Sequence, residues 1–171
     1  MQSLGVGGGA ALAGCVGAPS ATESMTTPTQ PSMNAVQQVD LDRIAAEPTD
    51  VPAPIDRDEP TTIEVEFTTR ELVAEIEPGV TYTYMTFDDQ VPGPMIRARL
   101  GDTVVMTVTN DEANSMPHNI DLHAVRGPGG GAEASTVMPG ETATFSFQAT
   151  YPGAFVYHCA VPNLDYHISS G

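Results

Sequence analysis

Short runs of alternating apolar and polar residues fill the chain from residue 61 onward. Ile63, Val65 and Phe67 alternate with glutamates, and similar runs cover residues 72–76 and 82–86. Because successive side chains of an extended chain point to opposite faces, this period of two predicts strands with one buried face. Further strands are predicted at residues 95–100, 103–109, 135–138, 141–148 and 154–157.

Turn-forming residues separate these runs. Glu77-Pro78-Gly79, the Pro- and Gly-rich residues 91–94 and the Gly101-Asp102 pair each interrupt the alternation. These residue types favour tight turns and cannot continue a regular strand. Many short strands at this spacing, with almost no helical periodicity, predict an all-β fold over residues 61–171, a Greek-key β-sandwich.

The first 15 residues have the character of a processed leader. Residues 1–14 are small and apolar, and Leu12-Ala13-Gly14-Cys15 matches a lipoprotein signal box, in which cleavage exposes a cysteine that carries lipid. The apolar run is too short to span a membrane. We expect residues 1–15 to be a signal segment and Cys15 to be lipidated, unless Cys15 is an incidental residue of the leader. The protein would then be exported and held at the extracytoplasmic face of the membrane only through this anchor.

Residues 16–60 are predicted to connect the leader to the β-domain. Residues 16–38 are rich in Ser, Thr, Pro and Ala and contain too little apolar surface to pack, which predicts a disordered, flexible tether. Residues 39–60 mix a few apolar side chains with carboxylates and prolines. We expect them to lie extended along the domain, with one helical turn near residues 41–45.

The charge balance limits the classes of partner. The chain has 22 acidic and 6 basic residues, a formal net charge of −16, and all the basic residues are arginines. Such a charge argues against nucleic acid or an anionic membrane surface as partner. The acidic, lysine-free composition resembles that of proteins from salt-loving archaea, and an ordinary acidic secreted protein is the alternative.

All four histidines of the chain lie in two short stretches. His118 and His123 fall in residues 116–123, and His158 and His167 fall in residues 154–167 together with Cys159. A thiolate and imidazoles from two separated segments form the ligand set of a His₂Cys copper site. Taken alone, Cys159 could be an ordinary buried apolar residue. With only two cysteines in the chain, one of them in the leader, we expect metal chemistry rather than a disulfide.

Strand alternation divides these residues into two groups. His118 faces one way, whereas Asp121 and His123 share the other face, and the neighbours His158 and Cys159 must also diverge. This predicts an inner site of His118, Cys159 and His167 and an outer site of His123 and His158. Because consecutive Cα atoms are only about 3.8 Å apart, the step from Cys159 to His158 would be a short covalent path for an electron between two metals.

The outer site is incomplete as the sequence stands. Two histidines fall short of the three protein ligands that catalytic metal sites usually have, and the four histidines are already assigned. Another domain or subunit is therefore expected to complete it. Asp121, on the same face, could position or protonate a bound ligand as a general acid. The alternative is a solvated or capping carboxylate.

Two neighbouring features have supporting roles in this interpretation. Asn119, next to His118, is placed to join the two ligand loops by hydrogen bonds, or else is a simple turn amide. The tract of residues 127–131 lacks the Lys-Ser/Thr ending and the following helix of a phosphate loop. It predicts a tight connection in which the backbone approaches the metal strand closely.

The motifs closely resemble the first cupredoxin domain of copper-containing, NO-forming nitrite reductases, over roughly residues 40–171. The segments that carry the resemblance read SMPHNIDLHA (115–124), GPGGGA (127–132), PGE (139–141) and YPGAFVYHCA (151–160). The resemblance implies a type 1 electron-transfer copper at His118, Cys159 and His167, and a type 2 catalytic copper at His123 and His158. It further implies Asp121 as the active-site acid, nitrite as substrate in denitrification, a small electron-donor protein and a homotrimer.

Some family features are not in this sequence. The axial methionine of the type 1 site is expected a few residues after His167, where the chain ends at Gly171. The third type 2 histidine and a catalytic histidine belong to the family's second cupredoxin domain. We therefore expect the sequence to be a C-terminally truncated fragment that turns over nitrite poorly by itself.

Two other functions are alternatives to the reductase. A membrane-tethered blue-copper electron carrier would need only the inner site and an axial ligand, and would have no use for His123 and His158. A two-domain multicopper oxidase acting on phenols or metal ions would use paired His-x-His motifs, and this sequence has none. Copper stoichiometry separates the first alternative from the reductase, with one copper per chain against two.

Overall fold

The computed structural model describes residues 37–38, 44–126 and 128–171, with backbone alone at residues 37, 38 and 128. The predicted signal segment with Cys15, most of the predicted tether and Gly127 lie outside the described residues. All described residues belong to one unit, Met33–Gly171.

The described part of the chain is built mainly from strands. In chain order they are β1 (Gln37–Gln38), β2 (Thr62–Glu77), β3 (Val80–Phe87), β4 (Thr103–Asn110), β5 (Asp121–Leu122), β6 (Thr142–Gln148) and β7 (Tyr157–His158). A 3₁₀ turn covers Pro128–Gly131, and one short helix, α1, covers Leu164–Ser169. The all-β prediction is therefore confirmed. Among the described residues no helix is long and apolar enough to cross a membrane.

Strand β2 organises the larger sheet, whose order is β1-β2-β4-β6 with β3 also paired to β2. Its first half runs parallel to β4, and its second half runs antiparallel to β3, with Gly79 at positive φ in the turn between them. The sequence pattern predicted two separate strands here. They form one strand of 16 residues because residues 68–71 contain no glycine or proline to break it.

Two of the predicted strands are wrong, and a third is displaced. Residues 95–100 form no ladder: Pro94 has no N–H to donate, and its carbonyl oxygen accepts the Tyr157 hydroxyl at 2.7 Å. At residues 135–138 the chain turns back, with the Ser135 N–H bonded to the Gly131 carbonyl, and only Val137 forms a bridge, to His118. The strand predicted at residues 154–157 begins only at Tyr157.

The main core explains how the metal-binding stretch is oriented. It consists of Phe67, Phe87, Met106, Val108, Ile120, Leu122 and Val137. Ile120 and Leu122 are buried together with His118, whereas Asp121 is half-buried and His123 is exposed. Burial therefore follows the predicted alternation except at Asn119, which is also buried. The apolar residues at every second position draw His118 into the interior with them.

The described part of the N-terminal arm contacts the β-domain. Ile44 is buried against Leu72 and Ala74, and Ala45 bridges Val91. Ala45 is therefore extended rather than helical, so the predicted helical turn does not reach it; residues 41–43 lie outside the described residues.

A partly buried ion pair between Arg57 and Asp102 fastens the end of this arm. The side chain of Asp102 is fully buried and accepts hydrogen bonds from the Arg57 guanidinium, from the Thr61 N–H at 2.9 Å and from the Arg99 N–H at 2.6 Å. Hydrogen bonding by Arg57 holds the pKa of the Asp102 carboxyl well below its usual range.

We expect the stability of the domain to fall in acid through Asp102. Its pKa in the folded state is below the unfolded value of about 4, so the stabilisation is present above that value and is lost as the pH falls through it toward the folded pKa. Asp102→Asn should lower the melting temperature at pH 7 and flatten its decline below about pH 5. Thermal melts from pH 3 to 8 measure this. The exposed Asp58→Asn variant is the control, and an equally steep acid decline in Asp102→Asn would contradict the assignment.

Candidate metal centre

The inner site is assembled from three different parts of the fold. His118 is held by a two-way backbone bridge with Val137, at 3.1 and 2.9 Å. Cys159 directly follows β7, and His167 lies on α1. The three side chains are buried, with exposed fractions of 2%, 8% and 2% for His118, Cys159 and His167. Sequence reasoning missed α1 because six residues are too few to show a helical period.

The three potential ligand atoms converge on one point. Cys159 Sγ lies 3.8 Å from His118 Nδ1 and 3.5 Å from His167 Nδ1, and all three atoms lie within 4.8 Å of one another. Metal bonds of about 2.0 Å to nitrogen and 2.3 Å to sulfur span each of the two sulfur–nitrogen distances. A cavity of about 150 Å³ borders the same side chains. The residues therefore fit a metal, and a thiolate with two imidazoles is a donor set that suits copper.

The electrostatics of the inner site favour the thiolate. Burial alone raises the pKa of the Cys159 thiol, but the hydrogen bond with His118 and two backbone N–H groups outweigh it and lower the pKa. Burial alone lowers the pKa of His118, but hydrogen bonds with Cys159 and Glu71 raise it. Burial, and then repulsion by His118, lower the pKa of His167. The site thus stabilises the charged sulfur that a metal requires.

Asn119 joins the two ligand segments as predicted. Its side-chain oxygen accepts the Ala160 N–H at 2.6 Å, and its Nδ2 donates to Thr136 Oγ1 at 3.0 Å. The residue after His118 is therefore bonded to the residue after Cys159. This cross-link fixes the separation of two potential ligands before any metal is bound.

The outer site lies on the opposite side of the same short ladder. β5 pairs with β7 so that Asp121 is directly opposite His158, and the His123 N–H bonds to the Val156 carbonyl at 3.1 Å. His123 Nε2 and His158 Nε2 are 3.0 Å apart, with His123 exposed and His158 half-buried. Cross-strand partners share a face, so Asp121 lies on the side of the histidine pair.

A backbone contact sets the tautomer of His158. Its Nδ1 lies 2.9 Å from the Cys159 carbonyl oxygen, which can only accept a hydrogen bond. Nδ1 must therefore carry the proton, and in the neutral ring Nε2 presents its lone pair toward His123. The exposed pair thus offers a nitrogen ligand at the surface of the described domain.

The glycine tract packs directly on the strand that carries Asp121, as predicted. Gly130 has a φ of 50°, and a Cβ placed there would lie 2.1 Å from Asp121 Oδ1 and 2.7 Å from the backbone of Leu122. At Gly131, a Cβ would lie 2.5 Å from the Phe145 ring. Only glycine permits these close approaches, so the tract packs against Asp121 and restricts the position of its side chain.

We expect Gly130→Ala to destabilise the domain and displace Asp121. The control is Gly129→Ala, which has a similar φ of 63° but whose Cβ would meet only Ala132, at an ordinary 3.5 Å. The two variants share the backbone strain, so they should differ only through the clash at residue 130. We expect the free energy of unfolding of Gly130→Ala to be about 1–3 kcal/mol lower than that of Gly129→Ala. Urea unfolding of both variants measures the difference, and equal stabilities would contradict the close packing.

The comparisons with known proteins agree with this geometry. A family model described as multicopper oxidase matches residues 68–169. A copper-containing nitrite reductase of Neisseria meningitidis serogroup B is 47% identical over 131 residues, which are 77% of this chain and 34% of that protein. One from Rhizobium sullae is 43% identical over 114 residues, 66% of this chain and 30% of that protein.

A solved structure shows the same partial match. The copper nitrite reductase from Nitrosomonas europaea superimposes with a TM-score of 0.58 at 36% identity, over 64% of this chain and 39% of that one. The chain thus spans about a third of the length of the curated relatives it matches. The resemblance to copper-containing nitrite reductases is confirmed, whereas the ligand roles of the individual residues stay predictions.

Proposed function

The chain belongs to the multicopper oxidase family, and on this premise we propose that it takes part in the copper-dependent reduction of nitrite to nitric oxide. One observation carries the proposal: a buried Cys-His₂ cluster and an exposed histidine pair share the dipeptide His158-Cys159. A single-electron carrier needs only the first of these groups.

The inner site is proposed to hold the type 1 copper, with His118, Cys159 and His167 as ligands. Copper bound in this set supplies reversible one-electron chemistry. The buried side chains exclude water from the site, and the lowered pKa of Cys159 provides the thiolate ligand without a strong external base.

The outer site is proposed to hold the type 2 copper, with His123 and His158 as two of its ligands. A third ligand would come from another domain or subunit, and a closed homotrimer in which neighbouring subunits share the site would supply it. Asp121 lies on the same face and would deliver a proton to bound nitrite. The overall reaction consumes one nitrite ion, two protons and one electron, and yields nitric oxide and water.

The covalent chain links the two sites. An electron received at the inner site from a small electron-donor protein would pass from the Cys159 side chain through one peptide unit to His158. That path includes one step between Cα atoms of about 3.8 Å. Export and anchoring through Cys15 at the extracytoplasmic face of the membrane would place this reaction outside the cytoplasm.

Copper content and nitrite turnover test the proposal together. The product of the complete reading frame should bind two coppers per chain and convert nitrite to nitric oxide with an artificial electron donor. One copper per chain, with electron transfer but no nitric oxide, would instead support the membrane-tethered electron carrier. The exposed pair of His123 and His158 is the observation that disfavours the carrier.

A further inference from the structure

A buried carboxylate lies directly behind the inner site. Glu71, in the middle of β2, is 4% exposed, and its Oε1 lies 3.2 Å from Nε2 of the equally buried His118. The contact is made on the ring edge opposite to Cys159, because the ring presents Nδ1 to the sulfur. Glu71 therefore touches a proposed ligand without facing the metal position itself.

Within the part of the chain that the structure describes, the hydrogen bonds to this carboxylate come from residues 115–118. Oε1 accepts the Met116 N–H at 2.9 Å and the His118 contact, whereas Oε2 accepts the Ser115 N–H at 3.1 Å and the Ser115 hydroxyl at 2.6 Å. Four donors from residues 115–118 thus converge on one side chain. A carboxylate is suited to this place because both of its oxygens only accept hydrogen bonds.

The position of Glu71 is itself fixed by a buried amide network. The Glu71 N–H donates to Asn114 Oδ1 at 2.8 Å, and Asn114 Nδ2 donates to the Thr69 carbonyl at 2.8 Å and to Asn110 Oδ1 at 2.6 Å. Asn110 Nδ2 in turn donates to the carbonyls of Met116 and Val137. The network thus fixes the position of the Glu71 carboxylate relative to the backbone bridge between His118 and Val137.

The contact determines which nitrogen of His118 is available to a metal. An ionised carboxylate cannot donate, so the hydrogen bond places a proton on Nε2, and in the neutral ring the lone pair is then on Nδ1, which faces Cys159. Without an acceptor at Nε2, the ring would be free to carry its proton on Nδ1 or to rotate. Either change would remove His118 Nδ1 from the three potential ligand atoms that converge on the metal position.

We propose that Glu71 is a positioning residue for the inner metal site, holding His118 in the orientation and tautomer that present Nδ1 to the metal. The proposal rests on the copper site proposed above. It adds a buried anionic partner for a ligand, 47 residues away in the sequence. Such hydrogen-bond partners raise the basicity of a ligating imidazole and reduce the reorganisation needed when the metal binds.

Glu71→Gln tests the proposal, because the amide keeps the shape but not the charge. In either orientation its NH₂ group would face at least one backbone N–H, that of Ser115 or Met116. We expect a loss of about 10–100-fold in copper(I) affinity, measured by competition with a chelator. We also expect a shifted thiolate-to-copper absorption band in the copper(II) form. Ser115→Ala, which removes one donor to Glu71 without touching His118, should cause a smaller change in the same direction.

Glu66→Gln is the matched control, since Glu66 lies on the same strand with its side chain exposed. The proposal would be overturned if Glu71→Gln bound copper(I) with an affinity within twofold of that of the parent chain and showed an unshifted absorption band. That result would not contradict the copper site itself. Failure of the parent chain to bind copper would instead refute the proposed function.

A measurement on the unsubstituted, metal-free chain tests the contact even if Glu71→Gln fails to fold. Long-range ¹H–¹⁵N spectra should show a proton on His118 Nε2 that exchanges slowly with water. A neutral His118 with its proton on Nδ1, or a rapidly exchanging Nε2 proton, would overturn the positioning role.

Discussion

Cys159→Ala should abolish copper binding at the inner site and almost all nitrite turnover of the complete gene product. Cys159 is the sulfur toward which both Nδ1 atoms are directed, at 3.8 and 3.5 Å. Altering a hydrogen-bond partner of a ligand already costs 10–100-fold in affinity or activity, so removal of the ligand should cost more than about 100-fold. The intense thiolate-to-copper absorption band should disappear, and the copper content should fall from two to one per chain.

The sequence provides its own matched control for this variant. Cys15→Ser removes the other cysteine of the chain and should leave the absorption band and both coppers in place. Cys159→Ser keeps the size of the side chain but replaces soft sulfur by oxygen, so it should also lose the band. Retention of the band in Cys159→Ala would show that the inner site is not the thiolate centre.

His123→Ala should have the opposite spectroscopic outcome and a similar loss of activity. It removes one of two outer nitrogens that lie 3.0 Å apart, and its side chain is exposed and absent from the main core. The inner site should therefore keep its absorption band, while the second copper is lost and nitrite turnover falls by more than about 100-fold. Metal analysis, absorption spectra and nitric oxide production measure the three effects separately.

Asp121→Asn distinguishes metal loss from impaired proton delivery. It should retain two coppers and lower turnover by about 10²–10⁴-fold, the range typical of a lost general acid. Undiminished nitrite turnover in His123→Ala would exclude the outer site as the place of reaction. Undiminished turnover in Asp121→Asn would remove only the proposed role of the carboxylate.

The sequence predicted the features that depend on local periodicity. Alternation placed His118 inward and His123 outward, and the structure agrees because the apolar Ile120 and Leu122 drive the same face into the core. The turn at Gly79 and the close packing at Gly130 were predicted for a similar reason, since each depends on a conformation or an approach that favours glycine.

Features that depend on distant partners could not be predicted in this way. The run at residues 95–100 alternates like a strand, but strand formation needs a neighbour with free backbone groups, which no local pattern reveals. Helix α1 is shorter than two full turns, so its sequence has no detectable period. Glu71 gave only a weak signal, an acidic residue next to the apolar residues 72–74, because its role comes from a loop 44 to 47 positions away.

The two-residue strand β7 places a strict limit on chain length. His158 and Cys159 serve opposite faces only because they are adjacent, and each depends on its count from Tyr157, which is anchored to Pro94. Inserting one residue between Tyr157 and His158 would exchange the two faces, and would send the histidine inward and the thiol toward solvent. Neighbouring side chains can compensate for a substitution in this segment. They cannot compensate for a change in length that reverses the faces to which the two residues point. We therefore expect natural variation here to alter residue identity while leaving the spacing intact.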